Sequence, residues 1–449
     1  MTTAFDKYAT RAVPRYTSYP TAPHFSPDFP ESLYRIWLSE LDPDEAISLY
    51  LHVPFCKQMC WYCGCNMKLT TRYAPVADYI EHLLAEIDLL ADALPARMPV
   101  AHLHFGGGTP TALDPADLAR IMARLGERFR LAPNAELAIE GDPRTLTDDM
   151  IQQIGALGFN RASFGVQEFD PKVQAAINRI QPPEFVARST DGLRAAGVRR
   201  INFDLIYGLP HQTATMLTRT VEQCIEMQPD RIALFGYAHV PWMAKNQKMI
   251  MADALPQSEE RAAQAEAAAD ALLSGGYVRI GIDHFALPDD SLAIAAASGH
   301  LRRNFQGYTS DPAQTLIGLG ATSIGRTPQG YVQNISETGA WSRDVAAGRL
   351  PIARGHKMTG QDLLRAHVIE RIMCDGAVDL SQAGRAFGYH DDWWIGKDDA
   401  LAELEDDGLL DRTKGRLTLA PGSAHFARIL ASVFDAYLGS SAARHSVAV

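Results

Sequence analysis

Phe55-Cys56-Lys57-Gln58-Met59-Cys60-Trp61-Tyr62-Cys63-Gly64-Cys65 brings four cysteines into a single short run. The first three have C-x3-C-x2-C spacing, which lets one loop set three thiolates at three corners of a 4Fe-4S cube and leaves the fourth iron without a protein ligand. Structural zinc wants a closed tetrahedron, usually drawn from two separated knuckles, and no second knuckle accompanies this run. Disulfides need an oxidising compartment. The opening MTTAFDKYATRAVPRYTS has no apolar export segment, so the thiols are expected to stay reduced. Cys224 and Cys374 lie in apolar helical stretches and are expected to be buried and inert.

Around this loop the chain extends to 449 residues, room for one large α/β barrel and a smaller appendage. A composition of 47% hydrophobic and 21% charged residues is that of a soluble, cytoplasmic enzyme. No apolar run is long enough to span a bilayer, so no membrane partner is expected. The formal charge of -11 repels polyanions, and no basic run interleaved with aromatics tracks a phosphate backbone, which excludes nucleic acid as a partner. An anionic substrate would need a local group of arginines; Arg11 and Arg15 near the start, and Arg302 and Arg303 later, are the available ones.

Three regions are expected. Residues 1–45 carry Pro14, Pro20, Pro23, Pro27, Pro30 and Pro43 and read as an N-terminal extended arm. Residues 46–345 alternate short β-rich runs (47–53, 100–105, 135–139, 161–166, 200–205, 231–237, 278–282) with helical stretches. That rhythm predicts a parallel sheet with right-handed crossovers curling into a full or partial (β/α) barrel. Its functional face would be the C-terminal strand ends, where the cysteine loop, Gly106-Gly107-Gly108-Thr109, Glu140-Gly141-Asp142-Pro143, Gln167-Glu168 and Tyr237-Ala238-His239 all fall. Residues 346–449 read as a smaller, mostly helical, winged-helix-like domain ending in a helix over 423–438. Residues 356–449 hold 10 Lys and Arg against 14 Asp and Glu, the wrong sign for DNA, so a packing role is expected, with Trp393 and Trp394 anchoring this domain to the barrel.

An iron with one open site suits the amino and carboxylate groups of S-adenosylmethionine. The glycines 106–108 would let the backbone approach that cofactor. Their spacing lacks the lysine of a phosphate loop and the pattern of a dinucleotide fold, so alone they mark only a tight strand-to-helix turn. His52 and Tyr50 alternate onto one strand face, where His52 would support the cluster or shuttle a proton, or simply be a satisfied core histidine.

The cysteine loop followed by a glycine-rich strand end inside a βα chain resembles the radical S-adenosylmethionine superfamily, and implies a barrel of that type. PRYTSYPTA, YLHVPFCKQMCWYCGCN, HFGGGTPT, FGVQEFD, DLIYGLP, YAHVP, IGIDHFALPDD and RNFQGYT narrow the resemblance to the oxygen-independent coproporphyrinogen III oxidase family. By that resemblance Cys56, Cys60 and Cys63 ligate the 4Fe-4S cluster, and Cys65 is essential without being a ligand. Two S-adenosylmethionine molecules are implied. The first would touch Tyr50, Tyr62, Gly107, Glu140 and Ile324, and the second Gly108, Thr109, Gln167, Arg179, Asp204 and Ala238. Position 62 is Tyr where the family has Phe, and both supply a ring.

The implied reaction converts two propionates of coproporphyrinogen III to vinyl groups, giving protoporphyrinogen IX without oxygen. It requires a low-potential electron donor and an electron acceptor, and a monomer is expected. The substrate's four carboxylates need cationic partners, and the arm with Arg15 closing over the barrel mouth is expected to supply part of that clamp. The alternative is a haem-binding chaperone of the same family, whose members lack the Cys65 extension and the RYTSYPT arm.

Overall fold

The computed structural model describes residues 7–8 and 11–439, so the ends of the expected arm and C-terminal domain lie outside the described residues. Twelve strands form one sheet: β1 Ile47–Val53, β2 Pro99–Gly107, β3 Arg130–Gly141, β4 Arg161–Gln167, β5 Arg200–Tyr207, β6 Arg231–Gly236, β7 Val278–Ile280, β8 His284–Ala286, β9 Leu316–Leu319, β10 Ile324–Thr327, β11 Gly330–Asn334 and β12 Ile352–Lys357. The spatial order is β12-β11-β10-β9-β1-β2-β3-β4-β5-β6-β8-β7. From β9 through β6 the pairs are parallel, as the βα rhythm predicts. The flanking pairs are antiparallel, and the two ends of the sheet do not join. The barrel is therefore partial.

Each central strand separates two chemistries by its period of two. On β1, Ile47, Leu49, Leu51 and Val53 belong to the main apolar core, together with Tyr79, Ile80, Leu83 and Ile87 of helix Ala74–Ala91. Burying each such aliphatic side chain contributes about 1.5–3 kcal/mol. The intervening Tyr50 and His52 share the opposite face with His104 of β2 and Glu140 of β3. Deeper on that face Glu136 pairs with Arg161 at 3.0 Å, and Asp290 with Arg231 at 2.6 Å, so ion pairs fill the floor of the interior.

Four strands were not legible in the sequence, β9 to β12, and the single strand expected over 278–282 is a tight hairpin of β7 and β8. β12 also carries the sheet past residue 345. Its outer edge is closed by the arm, where Ser26 and Gly355 exchange backbone hydrogen bonds of 2.8 and 3.0 Å. Among the described residues no helix is long and apolar enough to cross a membrane.

The C-terminal part has helices Gly360–Asp375, Leu380–Ala386 and Asp398–Asp406 and a three-stranded sheet of Ala377–Asp379, Arg416–Leu419 and Leu410–Thr413, the expected winged arrangement. Two details differ from expectation. The helix expected over 423–438 is shortened to Ala427–Ser432, because the Asp435 carboxylate is taken by the Tyr16 hydroxyl at 3.0 Å and the Tyr437 amide at 2.8 Å. Trp393 does not anchor the unit to the barrel: its indole N–H donates to the Leu380 carbonyl and its ring packs on Phe434, inside the unit's own core. Trp394 likewise packs against that core. The ties run instead through the arm, whose Tyr8, Val13, Tyr16 and Tyr19 are buried in that same core, and through Arg302 on Glu370 at 2.9 Å and the Tyr308 hydroxyl on the Met373 carbonyl at 2.7 Å.

Candidate active site

The cysteine loop leaves β1 and is clamped at its base, where Phe55–Cys56 pairs with Lys68–Leu69. Side chains from other loops hold its carbonyls. Asn246 Nδ2 donates to the carbonyls of Cys60, Trp61 and Cys63 at 3.1, 3.2 and 2.8 Å, Gln247 Nε2 to that of Tyr62 at 2.8 Å, and Asn178 Nδ2 to that of Met59 at 2.7 Å. None of these three residues was predicted; amides that grip carbonyls carry no spacing signal.

Each sulfur has its own environment. Cys56 Sγ lies 3.4 Å from the Thr109 hydroxyl. Cys60 is buried, and its sulfur accepts from Arg144 Nη2 and Arg179 Nη1, both at 3.4 Å. Cys63 Sγ accepts from the Cys65 amide at 3.4 Å. The hydrogen bonds from Cys65 bring the Cys63 thiol down to about 7 against the effect of burial, whereas burial pushes Cys56 up to about 11. Cys65 itself is exposed. Among the described residues no three His, Cys, Asp or Glu side chains close on one point as the ligands of a single ion would. A cubane, with separate irons at its corners, does not require them to.

Asp142 draws the two guanidiniums together: Arg144 grips both its carboxylate oxygens, with 2.6 Å the shortest contact, and Arg179 Nη1 stands 3.5 Å away. Two cations beside a buried sulfur compensate thiolate charge that burial would otherwise penalise. Arg144 was missed, and Asp142, though its run Glu140-Gly141-Asp142-Pro143 was placed at the functional face, was given no role there.

At the end of β2 the backbone comes close to its neighbours. A Cβ on Gly108 would lie 2.7 Å from the Phe55 carbonyl oxygen, and one on Gly106 would lie 2.8 Å from Glu140 Oε1. Glu140 accepts from the Gly107 amide at 3.1 Å and lies 3.0 Å from His104 Nε2. Burial raises its pKa, but these hydrogen bonds and the charge of His104 outweigh it, so the net shift is downward. Tyr50 stacks on His104 with ring centroids 5.9 Å apart and hydrogen-bonds His52 Nδ1 at 3.0 Å. His52 Nε2 lies 3.1 Å from the Asn66 carbonyl, which can only accept, so Nε2 carries the proton and Nδ1 receives the Tyr50 hydroxyl. Burial lowers the pKa of His52, which keeps it neutral. Ile324 reaches the same area through β9, where Gly318 is in register with Tyr50 and a Cβ on Gly318 would lie 2.9 Å from the Ile324 carbonyl.

Asp204 on β5 has the Ser163 hydroxyl at 3.5 Å. Burial and the Glu140 carboxylate push it up to about 7. The two carboxylates are thus split, one ionised and one protonated near neutrality. The unfolded Asp ionises near its ordinary 3.8, so between there and about 7 the folded state holds a proton that the unfolded state releases. Stability falls as pH rises through that window. Asp204→Asn is expected to stabilise the reconstituted protein by roughly 1–3 kcal/mol at pH 8, with the gain fading toward pH 4, as read by melting curves across pH without added ligand.

Gln167 closes β4 at φ 68°, left-handed for a side-chain-bearing residue. Behind it Glu168 accepts from the Phe169 and Asp170 amides at 2.8 and 3.0 Å and from Gln212 Nε2 at 2.7 Å, fixing the turn. Among the described residues Gln167 Oε1, Arg179 Nε and Arg144 Nη1 are buried without a hydrogen-bond partner. Buried polar atoms of this kind are costly unless a ligand meets them. Ala238 follows β6 and lines the adjoining cavity, and Gln247 Nε2 reaches its carbonyl at 3.2 Å. Of the four arginines singled out from sequence, Arg11 pairs with Glu403 at 3.3 Å and Arg302 with Glu370 at 2.9 Å, whereas Arg15 and Arg303 line that cavity.

The radical SAM superfamily model matches residues 50–224, the stretch that runs from Tyr50 past Asp204. The oxygen-independent coproporphyrinogen III oxidase of Bradyrhizobium diazoefficiens is 49% identical over 442 residues, covering 98% of both chains. That of Paracoccus denitrificans is 43% identical, covering 97% of this chain and 96% of its own. The solved coproporphyrinogen III oxidase of Escherichia coli, described as a radical SAM enzyme, superposes with a TM-score of 0.90 at 36% identity, over 95% of this chain and 100% of that one. The fold, the cysteine loop and these likenesses along nearly the whole length agree: this chain belongs to the oxygen-independent coproporphyrinogen III oxidase family of the radical SAM superfamily.

Proposed function

We propose that the protein decarboxylates two propionate side chains of coproporphyrinogen III to vinyl groups without oxygen, giving protoporphyrinogen IX, the activity for which its relatives are named. The observation that carries this reading is the three-cysteine loop backed by Arg144, Arg179 and Gln167, whose buried, unpartnered polar atoms face the same strand ends.

Membership of the radical SAM superfamily implies a 4Fe-4S cluster and S-adenosylmethionine. The donor set fits: Cys56, Cys60 and Cys63 would hold the cluster, and the glycine turn at 106–108 leaves backbone free for the cofactor. When bound, the pair supplies an adenosyl radical able to remove hydrogen from a propionate β-carbon. Loss of CO2 then leaves one electron per vinyl group for an acceptor outside this chain, and a low-potential donor must supply the cluster.

The protein's own part is placement and charge. Glu140, ionised, and Asp204, protonated near neutrality, would respectively accept from and donate to the cofactor's polar groups. Arg179 would take a carboxylate. Tyr50 and neutral His52 would form one wall, and the Tyr62 ring another. Two S-adenosylmethionine molecules would use these groups in turn, the first along Tyr50, Tyr62, Gly107, Glu140 and Ile324, the second along Gly108, Thr109, Gln167, Arg179, Asp204 and Ala238. The division into arm, barrel and C-terminal unit serves the same end, because arm and C-terminal unit share one core and close the mouth together.

Anaerobic incubation of the reconstituted protein with coproporphyrinogen III, S-adenosylmethionine and dithionite is expected to yield protoporphyrinogen, 5'-deoxyadenosine and CO2. An intact cluster with stoichiometric haem binding and no decarboxylation would instead mark a carrier.

A further inference from the structure

A cavity of about 930 Å³ opens beside the C-terminal ends of β5 and β6, bounded by Tyr207, Gly236, Tyr237 and Ala238. Five guanidiniums from separate parts of the chain line it: Arg15 of the arm, Arg261 of helix Ser258–Ser274, Arg279 of β7, Arg303 of the hairpin Arg302–Asn304/Gly307–Thr309, and Arg428 of the C-terminal unit. Glu266, Asp270 and Asp283 line it too, so five cations face three anions. Arg303 is only 8% exposed, yet its Nε and Nη1 have no hydrogen-bond partner among the described residues. Arg261 rests on the Tyr207 ring at 5.5 Å, and a Cβ on Gly208 would strike its guanidinium. No carboxylate among the described residues pairs with Arg15, Arg261 or Arg303. Asp283 feels the charges of Arg303 and Arg15, but its hydrogen bond, at 2.6 Å, is to His284.

The same arginines grip the arm. Arg303 Nη2 donates to the Arg15 carbonyl at 3.3 Å, Arg428 Nε to the Pro14 carbonyl at 3.0 Å and Arg428 Nη2 to the Val13 carbonyl, which sets Arg15 over the cavity with its Nη2 3.5 Å from the Gly236 carbonyl. Like charges are thereby forced together. Burial first, and then repulsion from Arg15, lowers the pKa of both Arg261 and Arg428, the latter to about 10. Gathering more cations than anions in a recess is unfavourable in the free protein and is relieved when a carboxylate enters, because a guanidinium fork receives a carboxylate on two parallel hydrogen bonds. The volume suits a molecule much larger than one amino acid.

We propose that Arg15, Arg261 and Arg303 form a carboxylate-binding subsite that anchors propionates of the tetrapyrrole beside the cofactor site. The identity of the ligand rests on the decarboxylase reading above; the carboxylate chemistry rests on the arginines alone. Arg261 and Arg303 thereby join Arg15 as determinants of which ring edge is presented.

The test titrates coproporphyrin III, a stable fluorescent surrogate, into the reconstituted protein under nitrogen, with coproporphyrin III tetramethyl ester as the uncharged counterpart. Arg261→Gln is expected to raise Kd about tenfold or more for the free acid, the loss of a hydrogen-bonded charge pair, and to leave the ester unaffected. Arg303→Lys, which keeps the charge and loses the fork, is expected to fall between. Arg385→Ala, which removes an exposed guanidinium paired with Asp391, is expected to bind as the unaltered protein does. Free-acid binding unchanged in both Arg261→Gln and Arg303→Lys, each with a folded circular-dichroism spectrum and an intact cluster absorbance, overturns the subsite. So does ester binding as tight as that of the acid. Carboxylate-dependent binding without turnover would sink the decarboxylase reading and leave the subsite standing. Normal turnover with unchanged KM in Arg261→Gln would do the reverse.

Discussion

Cys60→Ser is expected to abolish turnover, by more than about 10³-fold, and to leave a folded protein whose iron content and broad visible absorbance fall well below those of the parent. Cys60 is the buried member of the trio, and its sulfur receives two guanidiniums, so it is where the protein has invested most in holding a thiolate out of water. A serine hydroxyl stays neutral there and binds iron poorly, while Arg144 and Arg179 lose the charge they face. Cys65→Ser should behave differently. Cys65 is exposed and touches the loop through its amide and its thiol, both hydrogen-bonded to Cys63; serine preserves the amide contact and offers a hydroxyl in place of the thiol. Iron and sulfide content are therefore expected to match the parent, with product formation lost. Equal loss of iron in both variants would make Cys65 a ligand and redraw the site.

The sequence was most readable where chemistry is local. The cysteine spacing, the glycine turn after β2 and the alternation of apolar and polar residues along β1 depend on residues a few positions apart; in the structure the loop and the turn follow neighbouring strands, with Tyr50 and His52 on one face of β1 and its apolar residues in the core on the other. What escaped depends on long-range contact. Asn246 meets the cysteine loop across nearly two hundred residues, and nothing in Lys245-Asn246-Gln247-Lys248 distinguishes it from a solvated turn. β9 to β12 are short, and Gly318, Gly325, Gly330 and Gly355 dilute their apolar pattern, so periodicity fails where backbones pack closest. Trp393 was assigned to the wrong partner for a related reason. A large aromatic predicts burial, and only the tertiary fold decides what it is buried against.

Gly107→Ala is expected to damage both the fold and the cofactor site. Gly107 sits at φ 111°, a region side-chain-bearing residues rarely adopt, and a methyl there would lie 2.5 to 2.9 Å from three atoms of the His52 ring. Neither neighbour can yield cheaply. His52 is fixed at both nitrogens by Tyr50 and the Asn66 carbonyl, and its own carbonyl receives the Tyr79 hydroxyl at 2.8 Å. Rotating the peptide to relieve φ would pull the Gly107 amide off Glu140, removing one of the bonds that keep that carboxylate ionised beside Asp204. Backbone strain of about 1–3 kcal/mol and overpacking of about 1–3 kcal/mol therefore add at one point. A destabilisation of roughly 2–5 kcal/mol is expected, visible as a lowered Tm, together with loss of S-adenosylmethionine affinity in equilibrium dialysis. The double variant Gly107→Ala/His52→Ala separates the two causes. If the clash with the ring dominates, removing the ring restores most of the Tm; if the dihedral dominates, the double variant stays as unstable as the single one. In either case cofactor affinity should remain low, because the amide that Glu140 accepts from is still displaced. Recovery of full affinity in the double variant would show that the glycine serves packing alone and that the strand end plays no part in holding the cofactor.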